Sequence, residues 1–312
     1  MKFELTPDAQ EMLSKSAEER MDYIAQKTWI DYPNAEFILN QFENLLRFEK
    51  NKHRITSYLL VGSTHNGKTS ILHRFMELHP AYDLFQNNMN SLTKEFFDQY
   101  EATSTPVLYL MAPSEPSESR LYNRILKSMN APYKEGDSIE KKLNLVEYYL
   151  KFLNVEILII DEIHNFLSGS TVRQKQVLNA IKNLSNQLQI PILLAGTKDA
   201  LRAFGSDRQL INRFRPTYIK KWKFDQEYIN FLATLLTTIP LKEESDILQA
   251  KIRRRILEFS YGCIGDIVAL IKRAAIIALE NKQEKITEKD IIEAATKVSL
   301  ENLYQNIELK DV

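Results

Sequence analysis

A single cysteine, Cys263, stands in a chain of 312 residues. One thiol cannot build an internal disulfide framework, and this usage suits a reducing cytosol. The side chain itself is expected to be a small buried apolar group rather than a reactive one. Glycine is also scarce, at 8 residues, which argues against low-complexity linkers. There is no net charge: 41 basic side chains balance 41 acidic ones. Overall charge therefore gives nucleic-acid binding no support, and any such role must rest on local patches. No apolar run reaches the roughly 18 residues of a membrane span, and the opening Met1-Lys2-Phe3-Glu4 has no apolar core of a secretory signal. A cytoplasmic protein without a membrane partner is expected. What is present is an apolar fraction of 44%, ample for a core, and a length that fits one large or two medium domains.

The most informative run is Gly62-Ser63-Thr64-His65-Asn66-Gly67-Lys68-Thr69. It fits G-x-x-x-x-G-K-[ST], follows the apolar Tyr58-Leu59-Leu60-Val61, and precedes helically spaced apolar residues from Ile71 to Leu78. Strand, loop and helix in that order make a phosphate cradle, because backbone N–H groups and the positive helix end converge on one point. Gly62, Asn66, Gly67, Lys68, Thr69 and Ser70 are the expected nucleotide contacts, with Lys68 reaching the β- and γ-phosphates. The Thr69 hydroxyl would hold Mg²⁺. A second apolar run, Val155 to Ile160, ends in Asp161-Glu162. Asp161 at such a strand end would join the Mg²⁺ shell, and Glu162 would act as general base on the attacking water. ATP and Mg²⁺ are the cofactors expected.

The pattern along the chain predicts a helical lead-in over 1–50, an α/β nucleotide domain over 51–223, a helical lid over 224–300 and a tail over 301–312. Pro33 starts a helix with Phe37, Ile38, Phe42, Leu45 and Leu46 on one apolar face. Strands are expected at 56–61, 106–111, 155–160 and 191–196. Apolar runs without alternation imply a parallel sheet covered on both faces. The stretch 79–105 has no clear period. In the lid, Asp225 caps a helix through Thr237, Ser245 caps one ending at Gly262, Gly265-Asp266 opens a third through Glu280, and Thr287 with Asp290 resembles a capping box.

Thr197 follows the fourth expected strand, where ligands bind in parallel sheets. It is read either as a polar group beside the γ-phosphate or as a turn residue after Gly196. Lys198 to Phe224 is the most basic stretch, and Asn212-Arg213-Phe214-Arg215-Pro216 places two arginines beside an aromatic anchor. Arg213, and after it Arg215, are candidates for a finger that reaches a neighbouring subunit's γ-phosphate. His164 would either orient Glu162 or a phosphate-sensing group, or pack at a helix start.

Together these residues resemble an AAA+ ATPase and, more narrowly, the TniB/TnsC family of transposition regulators. The resemblance is carried by Tyr32-Pro33-Asn34-Ala35, Asn66-Gly67-Lys68-Thr69, Ile159-Ile160-Asp161-Glu162-Ile163-His164-Asn165, Ala195-Gly196-Thr197, Arg213-Phe214 and Gly262-Cys263-Ile264-Gly265-Asp266. It spans about 28–298. It implies a bacterial ATP-dependent switch that forms rings or helical filaments on double-stranded DNA. It also implies recruitment of a DDE-type transposase, often with a TniQ-type targeting protein, and disassembly on hydrolysis. Two features depart from, or strain, the family pattern. The first arginine after Gly265-Asp266 is Arg273, so a lid arginine on the γ-phosphate is displaced or absent. The segments 113–120 and 132–138, where the resemblance puts DNA contact, mix Ser117, Ser119, Arg120 and Lys134 with Glu115, Glu118, Glu135 and Asp137. A replication initiator or helicase loader, and a signalling ATPase without DNA, are the alternative readings.

Overall fold

The structure, a computed structural model, describes residues 4–49, 55–83, 103–167, 170–205 and 207–296. The chain divides into two compact units. A sheet unit comprises Pro33–Ser63 and Lys68–Ile219; a helical unit comprises Met1–Tyr32, Thr64–Gly67 and Lys220–Val312.

Three helices come first: α1 (Pro7–Met12), α2 (Ala17–Ala25) and α3 (Pro33–Phe48). The last of these belongs to the sheet unit. Ala35, Ile38, Leu39, Phe42 and Leu45 make its buried face. Phe37, expected on that face, is 57% exposed, because a position one residue before Ile38 is rotated by about 100° on a 3.6-residue helix.

The unit then continues with β1 (Ser57–Val61), α4 (Lys68–Leu78), a short antiparallel pair β2 (Tyr82–Asp83) and β3 (Thr103–Ser104), and β4 (Val107–Met111). Next come α5 (Glu118–Ser128), α6 (Ile139–Phe152), β5 (Ile157–Asp161), a 3₁₀ turn (Ile163–Leu167), α7 (Thr171–Gln187) and β6 (Ile192–Gly196). The unit closes with α8 (Lys198–Gly205), α9 (Arg208–Arg213) and β7 (Phe214–Tyr218). The main sheet has five parallel strands in the order β4-β5-β6-β1-β7. Every residue of β5 and β6 is buried, which is why 157–160 and 192–195 read as unbroken apolar runs. Strands fall at the four places expected, but Asp161 is the last residue of β5 rather than a residue beyond it. β7 was not foreseen. It is an edge strand with Pro216 at its middle, and a proline inside a run argues against a strand in any pattern reading.

The helical unit continues with α10 (Gln226–Thr237), α11 (Ala250–Phe259), α12 (Ile264–Glu280) and a final helix over 288–296. Asp225 caps α10 as expected, accepting from the Tyr228 N–H at 3.0 Å. Ser245 does not cap a long helix. It precedes a 3₁₀ turn (Asp246–Leu248), and its hydroxyl accepts from the Ile286 N–H at 3.0 Å. At 287–290 the Asp290 carboxylate takes the Thr287 N–H at 2.8 Å and its hydroxyl at 2.7 Å.

One ion pair fixes the first residues of this unit to the last. Arg20 is buried on α2, and its two terminal nitrogens donate to the two Glu284 carboxylate oxygens at 2.7 and 2.8 Å. The guanidinium also reaches the Pro240 carbonyl at 3.1 Å. Those hydrogen bonds from Arg20 are the main reason the Glu284 carboxyl lies below its ordinary range. A group with a depressed folded pKa stabilises above its unfolded value, about 4.3 for glutamate, and loses that contribution as pH falls through the folded value. Arg20→Ala should cost at most about 3 kcal/mol, because the part-buried Glu284 carboxylate would keep only the Lys242 N–H at 3.3 Å and the Lys242 ammonium at 3.8 Å. Its urea midpoint at neutral pH should drop, and the difference from wild type should shrink below about pH 4. An unchanged midpoint at neutral pH would show the pair to be dispensable.

Candidate functional site

In the sheet unit β1 ends at Val61 and the chain turns at Gly62. The Gly62 N–H donates to the Gly196 carbonyl at 3.1 Å, so the loop starts from the ends of two neighbouring strands. Gly67 has φ +81°, a conformation glycine adopts without steric cost, and α4 begins at the next residue. Lys68 is buried, and its ammonium folds back to donate to the Gly62 carbonyl at 3.1 Å and the Ser63 carbonyl at 3.0 Å. It is thereby held against the first two residues of the loop. A phosphate oxygen would offer it a charged acceptor in place of neutral ones. Ser70 lies exposed in the first turn of α4.

The Thr69 hydroxyl donates to Asp161 Oδ2 at 2.7 Å. Asp161 is 1% exposed, and two more donors serve it: Tyr109 Oη at 3.2 Å on Oδ2 and the Glu162 N–H at 2.7 Å on Oδ1. Burial and the Asp161 charge push the Tyr109 phenol far above its usual pKa, so it stays protonated as a donor. The Thr69–Asp161 pair presents two hard oxygens side by side, a set that fits Mg²⁺. Among the described residues no cluster of three or more His, Cys, Asp or Glu could hold a metal. A Mg²⁺ ion here would take its remaining ligands from phosphate and water.

Glu162 is a non-glycine residue with φ +54° at the end of β5. Its Oε2 lies 3.0 Å from His164 Nε2. Thr197 follows Gly196, where an added Cβ would approach Ile163 Cγ2 to 2.7 Å and Ala200 Cβ to 2.9 Å. Only glycine lets β6 end this close to the turn after β5. Thr197 is therefore one residue past the strand that is bonded to the start of the phosphate loop.

The two candidate finger residues lie at the other end of the sheet. Arg213 closes α9, and its Nη1 donates to the Ser185 hydroxyl at 2.5 Å. Arg215 is exposed on β7. Phe214 pairs with Ser57, at the start of β1, whereas Tyr218 pairs with Val61 beside the loop.

Of the expected DNA contacts, Ser117 precedes α5 without capping it, and Lys134 is exposed. Arg120 is engaged with Glu115 at 2.9 Å. Ser119 accepts from Lys142, which sequence reasoning missed. That lysine is fully buried on α6, and its ammonium donates to Ser119 Oγ and to the Glu135 carbonyl, both at 2.7 Å. It ties 113–120 to 132–138. Tyr109 was missed too. Neither residue carries a motif, since each is defined only by a partner far along the chain.

Within the helical unit the loop tip bonds to the start of α12. Asn66 Oδ1 accepts from the Ile264 N–H at 3.3 Å, the His65 carbonyl from the Gly265 N–H at 2.9 Å, and His65 Nδ1 lies 3.1 Å from Asp266 Oδ1. A Cβ on Gly265 would come within 2.5 Å of the His65 carbonyl oxygen. Arg273 lies further along α12, about 13 Å from its start at 1.5 Å per residue.

No curated protein sequence matches the chain. Among solved structures it is similar to Aeropyrum pernix Orc1 in complex with DNA, at 13% identity and a TM-score of 0.59, covering 91% of this chain and 69% of that one. It is also similar to Cdc6p from Pyrobaculum aerophilum, at 16% identity and a TM-score of 0.58, covering 89% and 70%. These likenesses show the fold alone: a parallel five-stranded sheet with helices, of the AAA+ type. The model for the bacterial TniB protein family matches residues 20–224. That match takes in the phosphate loop, Asp161-Glu162 and Arg213, and it spans more than half of the sequence, so the protein belongs to the TniB family and has the AAA+ ATPase fold.

Proposed function

We propose that the protein binds and hydrolyses ATP as a switch, that its ATP-bound form assembles on double-stranded DNA, and that this assembly recruits a DDE-type transposase, with or without a TniQ-type partner. The observation that carries the ATPase reading is the Thr69–Asp161 hydrogen bond of 2.7 Å with Glu162 next in the chain. In it the start of α4 and the end of β5 bring together two oxygens suited to a metal, with a candidate base next in the chain. Thr69 and Asp161 would hold Mg²⁺, which when bound would supply positive charge to offset that of the phosphates. Lys68 would bind the terminal phosphates, Glu162 would accept a proton from water, and Thr197 would orient that water or the γ-phosphate. Support for DNA comes from family membership and from the fold shared with an Orc1 solved on DNA. With a chain of zero net charge, contact would be made by loop hydroxyls, backbone N–H groups and single cations of 113–120 and 132–138. Ser117, Ser119, Arg120 and Lys134 are the side chains proposed for it.

The test is duplex DNA binding with and without ATP across a salt series. Binding should need ATP, weaken as salt rises through counterion release, and show little sequence preference. Lys68→Ala should lose ATP binding and DNA assembly together, and Thr69→Ala should lose mainly the Mg²⁺-dependent part. DNA binding that ignores nucleotide, or wild-type ATP affinity in Lys68→Ala, would overturn the reading.

A further inference from the structure

We propose that His164 is the positioning residue for Glu162: it fixes one carboxylate oxygen so that the other remains open to water. This rests on the ATPase reading above. Three observations within the sheet unit lead to it. First, Glu162 has φ +54°, a region that side chains other than Gly, Asn and Asp rarely occupy. Such strain persists where surroundings enforce it, and it gathers at functional sites. Second, Oε2 is engaged by His164 Nε2 at 3.0 Å, while Oε1 has no protein partner among the described residues. Third, His164 Nδ1 is buried and has no hydrogen-bond partner among the described residues.

The third observation sets the tautomer. A buried N–H without an acceptor is costly, whereas a bare ring nitrogen is less so. A carboxylate oxygen can only accept, so the proton in the contact lies on Nε2 and His164 donates to Glu162. The ring itself is held by its carrier. His164 lies in the 3₁₀ turn between Ile163 and Phe166, both buried, and the turn is pinned by the Asn165 amide on the Ala112 carbonyl at 3.3 Å and the Gln174 amide on the Leu167 carbonyl at 2.7 Å. Glutamate has three side-chain torsions, and without an anchor most of its rotamers would point the carboxylate elsewhere. Small misplacements of a reacting group cost up to about 100-fold in rate.

His164→Ala should therefore lower kcat for ATP about 10- to 100-fold and leave KM within about twofold. His164→Gln, whose amide N–H reaches about as far as Nε2, should recover most of the loss. In a Glu162→Gln background, His164→Ala should cost almost nothing more, because the two act as one unit. A second readout needs no turnover: ¹⁵N shifts of His164 in the full chain should report the Nε2–H form. Unchanged kcat in His164→Ala, a raised KM with kcat intact, a glutamine variant no better than alanine, or an Nδ1–H ring would each overturn the proposal. A wild-type protein with no ATPase activity, with or without duplex DNA, would instead sink the ATPase reading, and the ¹⁵N shifts alone would then decide the pair.

Discussion

Arg213→Ala is expected to bind ATP near-normally and to hydrolyse it about 10³–10⁵ times more slowly than wild type. In the proposed assembly this arginine would serve a neighbour, because it lies far from the loop end of its own sheet. β7 runs parallel to β1, and its first residue, Phe214, pairs with Ser57, four positions before Val61. At about 3.3 Å per residue, that end lies roughly 13 Å from the strand end that feeds the phosphate loop. Arg213 is one residue further back, with its guanidinium resting on Ser185. It would exchange that hydroxyl for a γ-phosphate only when a second copy brings one alongside. Mixing Arg213→Ala with Lys68→Ala should restore part of the activity, because an intact loop from one copy then meets an intact arginine from the other. If both variants co-assemble and the mixture stays as inactive as its parts, the finger is not Arg213, and Arg215, exposed on β7, is the next to test in the same way.

The second large effect belongs to Glu162→Gln. The amide keeps the size of the side chain and still offers an oxygen to His164, but it cannot take a proton. Turnover should fall by about 10²–10⁴, with ATP affinity preserved. Because assembly is assigned to the ATP-bound state, this variant should remain on duplex DNA long after wild type has dissociated. Single-turnover hydrolysis and dissociation kinetics measured on the same sample would check both halves. Wild-type turnover would remove Glu162 from the mechanism. Lost turnover with fast dissociation would separate disassembly from hydrolysis.

The parts of this molecule that were legible in the sequence are those whose cause is local. β1, β5 and β6 are covered by helices on both faces, so nothing polar interrupts them, and their boundaries follow from Val61 before Gly62 and Gly196 after Ala195. The loop at 62–69 is legible because Gly67 holds a positive φ and Gly62 packs closely against Lys68. β7 is not, because an edge strand tolerates an exposed Arg215 and an interior Pro216 that a pattern reading takes as breaks. The partners of Tyr109, Lys142 and Arg20 lie 52, 23 and 264 positions away respectively. Side chains of that kind acquire a role only when the chain has folded. His164 lies between these cases: its nearness to Glu162 was visible, but the choice between orienting and packing needed the 3.0 Å contact and the orphaned ring nitrogen.

Gly265 bears on how variants of this protein would be interpreted. The peptide at the start of α12 grips the tip of the phosphate loop from 198 residues downstream, through Ile264 on Asn66, and Gly265 has no room for a methyl group against the His65 carbonyl. A Gly265→Ala allele recovered in a genetic screen would thus present as a nucleotide-binding defect, although it changes no residue of the phosphate loop itself. Suppressors of such an allele would be expected at His65, the residue whose backbone must yield.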